Sequence, residues 1–152
     1  MQKSKINVIY QLKTINFVFL FLNTNMSKTI SEEELKTKQL IETIIEGIQD
    51  IKGKDITILD LTDIEQRVCD YFIICTGESS TQVDSIAHSI VKTTRKKLKE
   101  KPWHFEDSTT KEWILIDYVN IVVHVFYKDT REFYDIEGLW ADAKRTDIPN
   151  LD

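Results

Sequence analysis

Glycine and proline are scarce in this chain of 152 residues, at four and two respectively. Their scarcity excludes collagen-like and Gly/Pro-rich low-complexity architectures. Cysteine is as sparse: Cys69 and Cys75 cannot build a disulfide scaffold, and their six-residue spacing is not a C-x-x-C pair. A reducing, cytoplasmic interior is the simplest compartment. The three histidines, His88, His104 and His124, are scattered without an H-x-x-x-H or H-E-x-x-H pair, so no zinc site is expected. There is no P-loop and no G-x-G-x-x-G. Ser79 and Ser80 follow Gly77, but G-E-S-S is not G-x-S-x-G and suits helix capping instead. Asp60, Asp63, Asp70, Asp117 and Asp135 are dispersed and contain no D-x-D pair. A two-metal phosphoryl-transfer site needs converging carboxylates. No catalytic residue, metal or cofactor is therefore expected. Nor is there a hydrophobic run long enough to span a bilayer: Ile15 to Leu22 is eight residues and includes Asn16.

What is present fits one acidic domain. Charged residues make up 30% and apolar ones 41%, enough to build a single core. The balance of 20 basic to 25 acidic side chains argues against a general nucleic-acid coat. Residues 1–25 stand apart, with Lys3, Lys5 and Lys13, no acid, and the short greasy run. Its flank Asn23-Thr24-Asn25 is not a signal cleavage site. The only other methionine is Met26, and translation is expected to start there, making 1–25 a mis-assigned or non-native extension. A signal or tether, or an extra helix or strand, is the alternative. Residues 26–143 are read as the domain and 144–152 as a loose polar tail. From Met26 on, 17 basic residues face 25 acidic ones.

Periodicity orders the domain. Ser31 with Glu34 is a capping box, and Ile41, Ile44, Ile45 and Ile48 follow at helical spacing up to Gly53. Asp55 to Leu61 reads as a strand, and Tyr71 to Thr76, apolar throughout, as a strand covered on both faces. A second helix carries the stripe Val83, Ile86, Ala87, Ile90, Val91 and Leu98 and stops at Pro102. Glu112 to Asp117 and Ile121 to Tyr127 read as an antiparallel hairpin. Asp129 or Thr130 caps a last helix with Phe133, Ile136, Leu139 and Trp140. The order αββαββα, with room for a short strand near Trp103-His104-Phe105, gives an α/β fold with a mixed sheet flanked by helices.

A two-residue turn at Val119-Asn120 would pair Tyr118 with Ile121 and sort the hairpin into two faces. Ile114, Ile116, Tyr118, Ile121, Val123 and Val125 form one, nearly pure core material. Trp113, Leu115, Asp117, Val122, His124 and Phe126 form the other. A carboxylate and an imidazole among large hydrophobes suit a protein-contact patch. Alternatively another helix covers that face and neighbours satisfy Asp117 and His124. Val119 disfavours the positive φ of a tight turn, which leaves a three-residue loop open. The one strongly basic stretch, Arg95 to Lys101, either complements a helix macrodipole or makes a local phosphate contact with RNA. No independent nucleic-acid binding is expected.

Several stretches join into one pattern. They are Cys69-Asp70-Tyr71-Phe72-Ile73-Ile74-Cys75-Thr76-Gly77, Ser79-Ser80-Thr81-Gln82-Val83 and Trp113-Ile114-Leu115-Ile116-Asp117-Tyr118. Val122-Val123-His124-Val125-Phe126 and Tyr134-Asp135-Ile136-Glu137-Gly138-Leu139-Trp140 complete it. Together they closely resemble the ribosomal silencing factor family, also called Iojap-like, from about Glu34 to Ala141. The family usually carries Gly-Asp at Val119-Asn120, and commonly Val-Glu-Gly at Phe105-Glu106-Asp107. The resemblance implies a nucleotidyltransferase-like α/β fold without catalytic carboxylates. It implies a translational repressor, not an enzyme, that binds ribosomal protein fourteen of the large subunit and blocks joining of the small subunit. On that basis Trp113 and Phe126 are expected as anchors and Asp117 as acceptor for a basic side chain, with Tyr118, Val122 and His124 shaping the patch. Self-association, as a homodimer for instance, is expected from such a patch if it is exposed. The competing functions are a nucleotidyltransferase-related enzyme using Gly77 and Ser79 as a remnant phosphate turn, and a homo-oligomeric module with another partner.

Overall fold

The structure, a computed structural model, describes residues 31–151. The expectations for residues 1–25 and for a start at Met26 lie outside these residues. Helix α1 (Glu32–Asp50) opens with the capping box: Glu34 N–H donates to Ser31 Oγ at 3.1 Å, and Ser31 N–H to Glu34 Oε2 at 3.0 Å. Two otherwise orphaned donors are satisfied reciprocally. Strands β1 (Lys54–Asp60) and β2 (Tyr71–Gly77) follow, then helix α2 (Ser80–Leu98). Ser79 Oγ caps α2 by accepting from Gln82 N–H at 3.1 Å, and Arg95, Lys96 and Lys97 occupy its last turn, where they oppose the carbonyl end of the dipole.

Strands β3 (His104–Glu106), β4 (Trp113–Asp117) and β5 (Ile121–Tyr127) come next. Short helices α3 (Lys128–Tyr134) and α4 (Ile136–Leu139) and strand β6 (Lys144–Ile148) complete the described chain. The six strands form one sheet in the order β3-β4-β5-β2-β1-β6. Only the central β2–β5 pair is parallel; the other four pairs are antiparallel. The mixed α/β architecture is as the sequence implied. β2 and β5 are buried along nearly their whole length, which explains their unbroken apolar runs.

Helices α1 and α2 cover one face of the sheet. Ile44, Ile48, Val83, Ile86 and Ile90 pack there against Ile73, Ile114, Ile116, Val123 and Val125. The two helices touch at Gly47, where a Cβ would lie 2.9 Å from the Ile90 Cα. Only a glycine admits that backbone approach. The opposite face is covered by the 61–70 segment, α3 and α4. Leu61, Val68, Cys69 and Ile136 pack there on Leu59, Phe72, Ile74, Trp113, Leu115, Val122 and Phe126.

Three expectations are corrected. Residues 144–148 are not part of a loose tail: Lys144 to Ile148 pair antiparallel with Asp60 to Ile56 as an edge strand. Its polar, exposed composition hid it, because an exposed edge strand needs no apolar face. The last helix is two helices, broken at Asp135, which is left-handed with φ 43° and caps α4 by accepting from Gly138 N–H at 3.1 Å. Asp129 and Thr130 do not cap α3; the N-cap position is Tyr127, without a side-chain bond. The two-residue turn at Val119-Asn120 stands, and the three-residue alternative does not apply. Tyr118 N–H bonds Ile121 O at 2.8 Å, and Val119 accepts φ 76°.

Candidate protein-binding surface

The hairpin register sorts side chains as the two-residue turn required, with Trp113 opposite Phe126, Leu115 opposite His124 and Asp117 opposite Val122. Yet the second face is not an open patch. Trp113, Val122, His124 and Phe126 come together there, and all four are buried. Asp117 and His124 are 0% exposed. The exposed-anchor reading of Trp113 and Phe126, with Asp117 as acceptor for an outside cation, is therefore corrected: the covering reading holds. Tyr118 does not join them. It turns to the opposite face, where its hydroxyl lies 2.8 Å from the buried Thr94 Oγ1 of α2. Self-association loses the basis that an uncovered Trp113–Phe126 patch would have given it.

Each buried polar group has a local task. Trp113 Nε1–H donates to His124 Nδ1 at 3.2 Å, which requires that ring nitrogen to be unprotonated. Asp117 Oδ1 accepts Val119 N–H at 2.6 Å, and Asn120 N–H reaches Tyr118 O at 3.1 Å, a γ-turn about Val119. The hairpin tip is further pinned by Asn120, whose side-chain amide donates to Thr37 of α1 at 2.8 Å and whose carbonyl accepts Asp70 and Tyr71 N–H, both at 3.0 Å. Burial raises the Asp117 carboxyl above its ordinary range, against the opposing pull of the Val119 amide and nearby His104. Burial likewise pushes the Cys75 thiol up to about 12 and the Cys69 thiol well above its usual value. Neither cysteine is a reactive thiolate.

The aromatic residues form a ladder that leads outward. His124 stacks on Phe126 with centroids 6.0 Å apart, Phe126 on Trp113 at 4.8 Å, and Trp113 meets Tyr134 of α3 at 4.8 Å. Tyr134 is in edge contact with Phe133 at 5.1 Å, and Phe133 is 75% exposed. A branch runs from Phe72 to Trp140 at 5.6 Å, beside Leu139, which is 74% exposed. The sequence reads Phe133 and Leu139 as members of one last helix with Ile136 and Trp140. The break at Asp135 turns them to solvent. Around them α3, α4 and the following turn carry exposed Asp129, Glu132, Asp135 and Asp142.

Arg131, which belongs to no motif of the sequence, clamps this corner to the sheet. Its guanidinium donates to Asp55 O at 2.6 Å, Thr76 Oγ1 at 2.9 Å and Thr57 Oγ1 at 3.0 Å, and pairs with Glu137 at 2.6 Å. A planar fork with five donors suits such a junction.

The catalytic alternatives find no geometry. Asp60 accepts Thr62 N–H and Oγ1–H, Asp70 pairs with Arg67, Asp117 holds its turn and Asp135 caps α4. Among the described residues no three His, Cys, Asp or Glu side chains converge on a metal-sized site. Gly77 and Ser79 serve the start of α2: a Cβ on Gly77 would sit 2.9 Å from Val83 N, and Ser79 is its cap. Among the described residues, no helix is long and apolar enough to cross a membrane.

Comparison with known proteins now decides the family. Residues 34–152 match the family model described as ribosomal silencing factor during starvation. The chain belongs to the ribosomal silencing factor family. A ribosomal silencing factor of Halalkalibacterium halodurans is 32% identical over 77% of this chain and 98% of its own. A mouse protein named for mitochondrial assembly of the ribosomal large subunit is 28% identical over 66% of this chain and 45% of its own. The crystal structure of a Chromobacterium violaceum protein superposes with a TM-score of 0.64 and 35% identity, over 68% of this chain and 85% of that one. Members of the family are named as ribosomal silencing factors and not as enzymes.

Proposed function

We propose that this protein is a cytoplasmic translational repressor that binds the large ribosomal subunit through its ribosomal protein fourteen and so blocks joining of the small subunit. The family match over residues 34–152 carries the reading. The α3–α4 corner is its docking surface. Ribosomal proteins are basic, and a rigid apolar pair, Phe133 and Leu139, among acidic side chains offers complementary charge and desolvated anchors. Trp113, Val122, His124 and Phe126 act from beneath by fixing the height and angle of that corner. Asp117 and Tyr118 hold the hairpin that carries them. Repression by this route needs occupancy and no chemistry.

The test is light scattering of purified ribosomal subunits mixed in the presence of excess protein, with sedimentation of the protein on large subunits alone. The wild type should slow joining and comigrate with the large subunit. Phe133→Ala with Leu139→Ala should lose both effects about tenfold or more while unfolding normally, since both side chains are exposed. Undiminished joining in excess wild-type protein would overturn the role. Full activity of the double variant would place the docking surface elsewhere.

A further inference from the structure

A second surface lies at the other end of the strands. β2 and β5 run parallel, and α3 leaves from their carboxyl ends, whereas α2 returns to their amino ends beside the hairpin tip. There α2 ends in the only strongly basic run of an acidic protein. Arg95, Lys96, Lys99 and Lys101 are exposed and carry no ion pair among the described residues; Lys97 is engaged by Glu46. Lys99 is the left-handed residue that ends the helix, with φ 59°, and Pro102 carries the chain on to Trp103. Trp103 is 67% exposed. It is not a loose end, since its backbone N–H donates to Asp117 O at 2.8 Å and its ring lies 6.4 Å from His104.

Helix-dipole complementarity accounts for the cations in the last turn of α2 and for Lys99, whose ammonium donates to Lys96 O at 3.4 Å, but not for Lys101 beyond them, nor for an indole held in water beside them. Exposing a tryptophan forfeits one of the largest apolar burials available to a side chain. Unpaired cations flanking a fixed, open aromatic face are the elements of a single-stranded nucleic-acid contact: the cations meet phosphates and the ring stacks on a base. An acidic peptide would use the cations and leave the indole face idle. We infer that Arg95, Lys96, Lys99, Lys101 and Trp103 form a local contact for an unpaired RNA segment, with Trp103 stacking on a base. The inference deepens the ribosome-binding reading and rests on it for the source of the RNA, namely ribosomal RNA next to the protein docking site. The overall negative charge makes this a secondary contact and not an independent reader.

Two measurements on the full chain test it. In the first, a short single-stranded RNA is titrated into the protein at low salt while tryptophan fluorescence is read, with polyglutamate as the control polyanion. Trp113 is buried and Trp140 half-buried, so quenching should report Trp103. RNA should quench, polyglutamate should not, and Trp103→Ala should abolish the signal and weaken binding about tenfold. In the second, affinity for isolated large subunits is measured against salt. Replacing Lys96 and Lys101 by Ala should weaken binding and reduce the log–log salt slope by about 0.7 for each phosphate that no longer meets a cation. Absence of RNA quenching, equal quenching by polyglutamate, or an unchanged salt slope in a variant that still competes for large subunits would each overturn the inference. If the wild type binds RNA but never the large subunit, it is the ribosome-binding reading that fails and the RNA contact that stands.

Discussion

Asp117 shows how a residue chosen for recognition can instead be committed to architecture. Its carboxylate is fully buried at the end of β4, and one oxygen is occupied by the Val119 amide. A β-branched residue at positive φ is strained by about 1–3 kcal/mol, and that short bond helps hold it there. The burial that raises the Asp117 carboxyl also fixes the sign of its pH effect. The folded state keeps the proton to higher pH than the unfolded chain. The group's contribution to stability is therefore complete below the unfolded value and is lost as pH rises through the folded one. Asp117→Asn keeps an oxygen for the Val119 amide and removes the titration. Urea unfolding at a series of pH values from about 3 to 7, the span over which a raised carboxyl titrates, should show the wild type losing stability relative to this variant as pH rises. A difference that stays flat would mean that the carboxyl titrates alike in both states. Trp113 and His124, bonded to each other in the same layer, are likewise buried within the fold.

At the scale of elements, the corner formed by α3 and α4 depends on one side chain. α3 has seven residues and α4 four, too few for either to be stable as an isolated helix. Arg131 joins them to β1 and β2 through Asp55, Thr57, Thr76 and Glu137. Arg131→Met keeps the apolar stem but strands the largely buried Glu137 carboxylate and the strand acceptors. The expected cost is about 3 kcal/mol, with amide exchange in residues 128–140 accelerated well before that of α1 or α2. Uniform acceleration throughout would show that the corner is not a separable unit. Elements governed by local rules were legible in the chain: the Ser31 capping box, the apolar stripe of α2, and the continuous hydrophobic runs of the central strands. The hairpin register was legible too, because alternation admits only one sorting once the turn length is chosen. What escaped reading were features set by distant partners. β6 is polar because it lies at an edge, and Arg131 matters only because three strand-borne acceptors meet it. The inward or outward sense of Phe133 and Leu139 turns on a single left-handed Asp135. For the same reason the second hairpin face could be recognised as special, while its cover could not.

Taken whole, the molecule has two unlike ends separated by the length of β5. At about 3.3 Å per residue, its seven residues span roughly 20 Å. One end offers Phe133 and Leu139 in acidic surroundings. The other offers Trp103 among unpaired cations. Between them lies a sheet buried on both faces, and the clamps at the two ends, Arg131 above and Asn120 with Thr94 below, give each surface a fixed position relative to the other. A protein with net negative charge would be repelled from ribosomal RNA as a whole. On the proposed reading, a clustered basic run at one end turns that repulsion into orientation, with the acidic corner directed to a basic protein and the basic run to RNA. Two rigidly linked contacts of modest strength then act together, the second becoming intramolecular once the first has formed. Such an arrangement makes a quantitative demand. Phe133→Ala and Trp103→Ala touch no common partner and lie farther apart than the range over which mutational effects couple. Their separate losses in affinity for the large subunit should therefore multiply in the double variant, leaving a coupling energy within about 0.5 kcal/mol of zero. Coupling well beyond that, measured in a double-mutant cycle by competition sedimentation, would mean that the two aromatic residues serve one surface and that the molecule does not bind by its two ends.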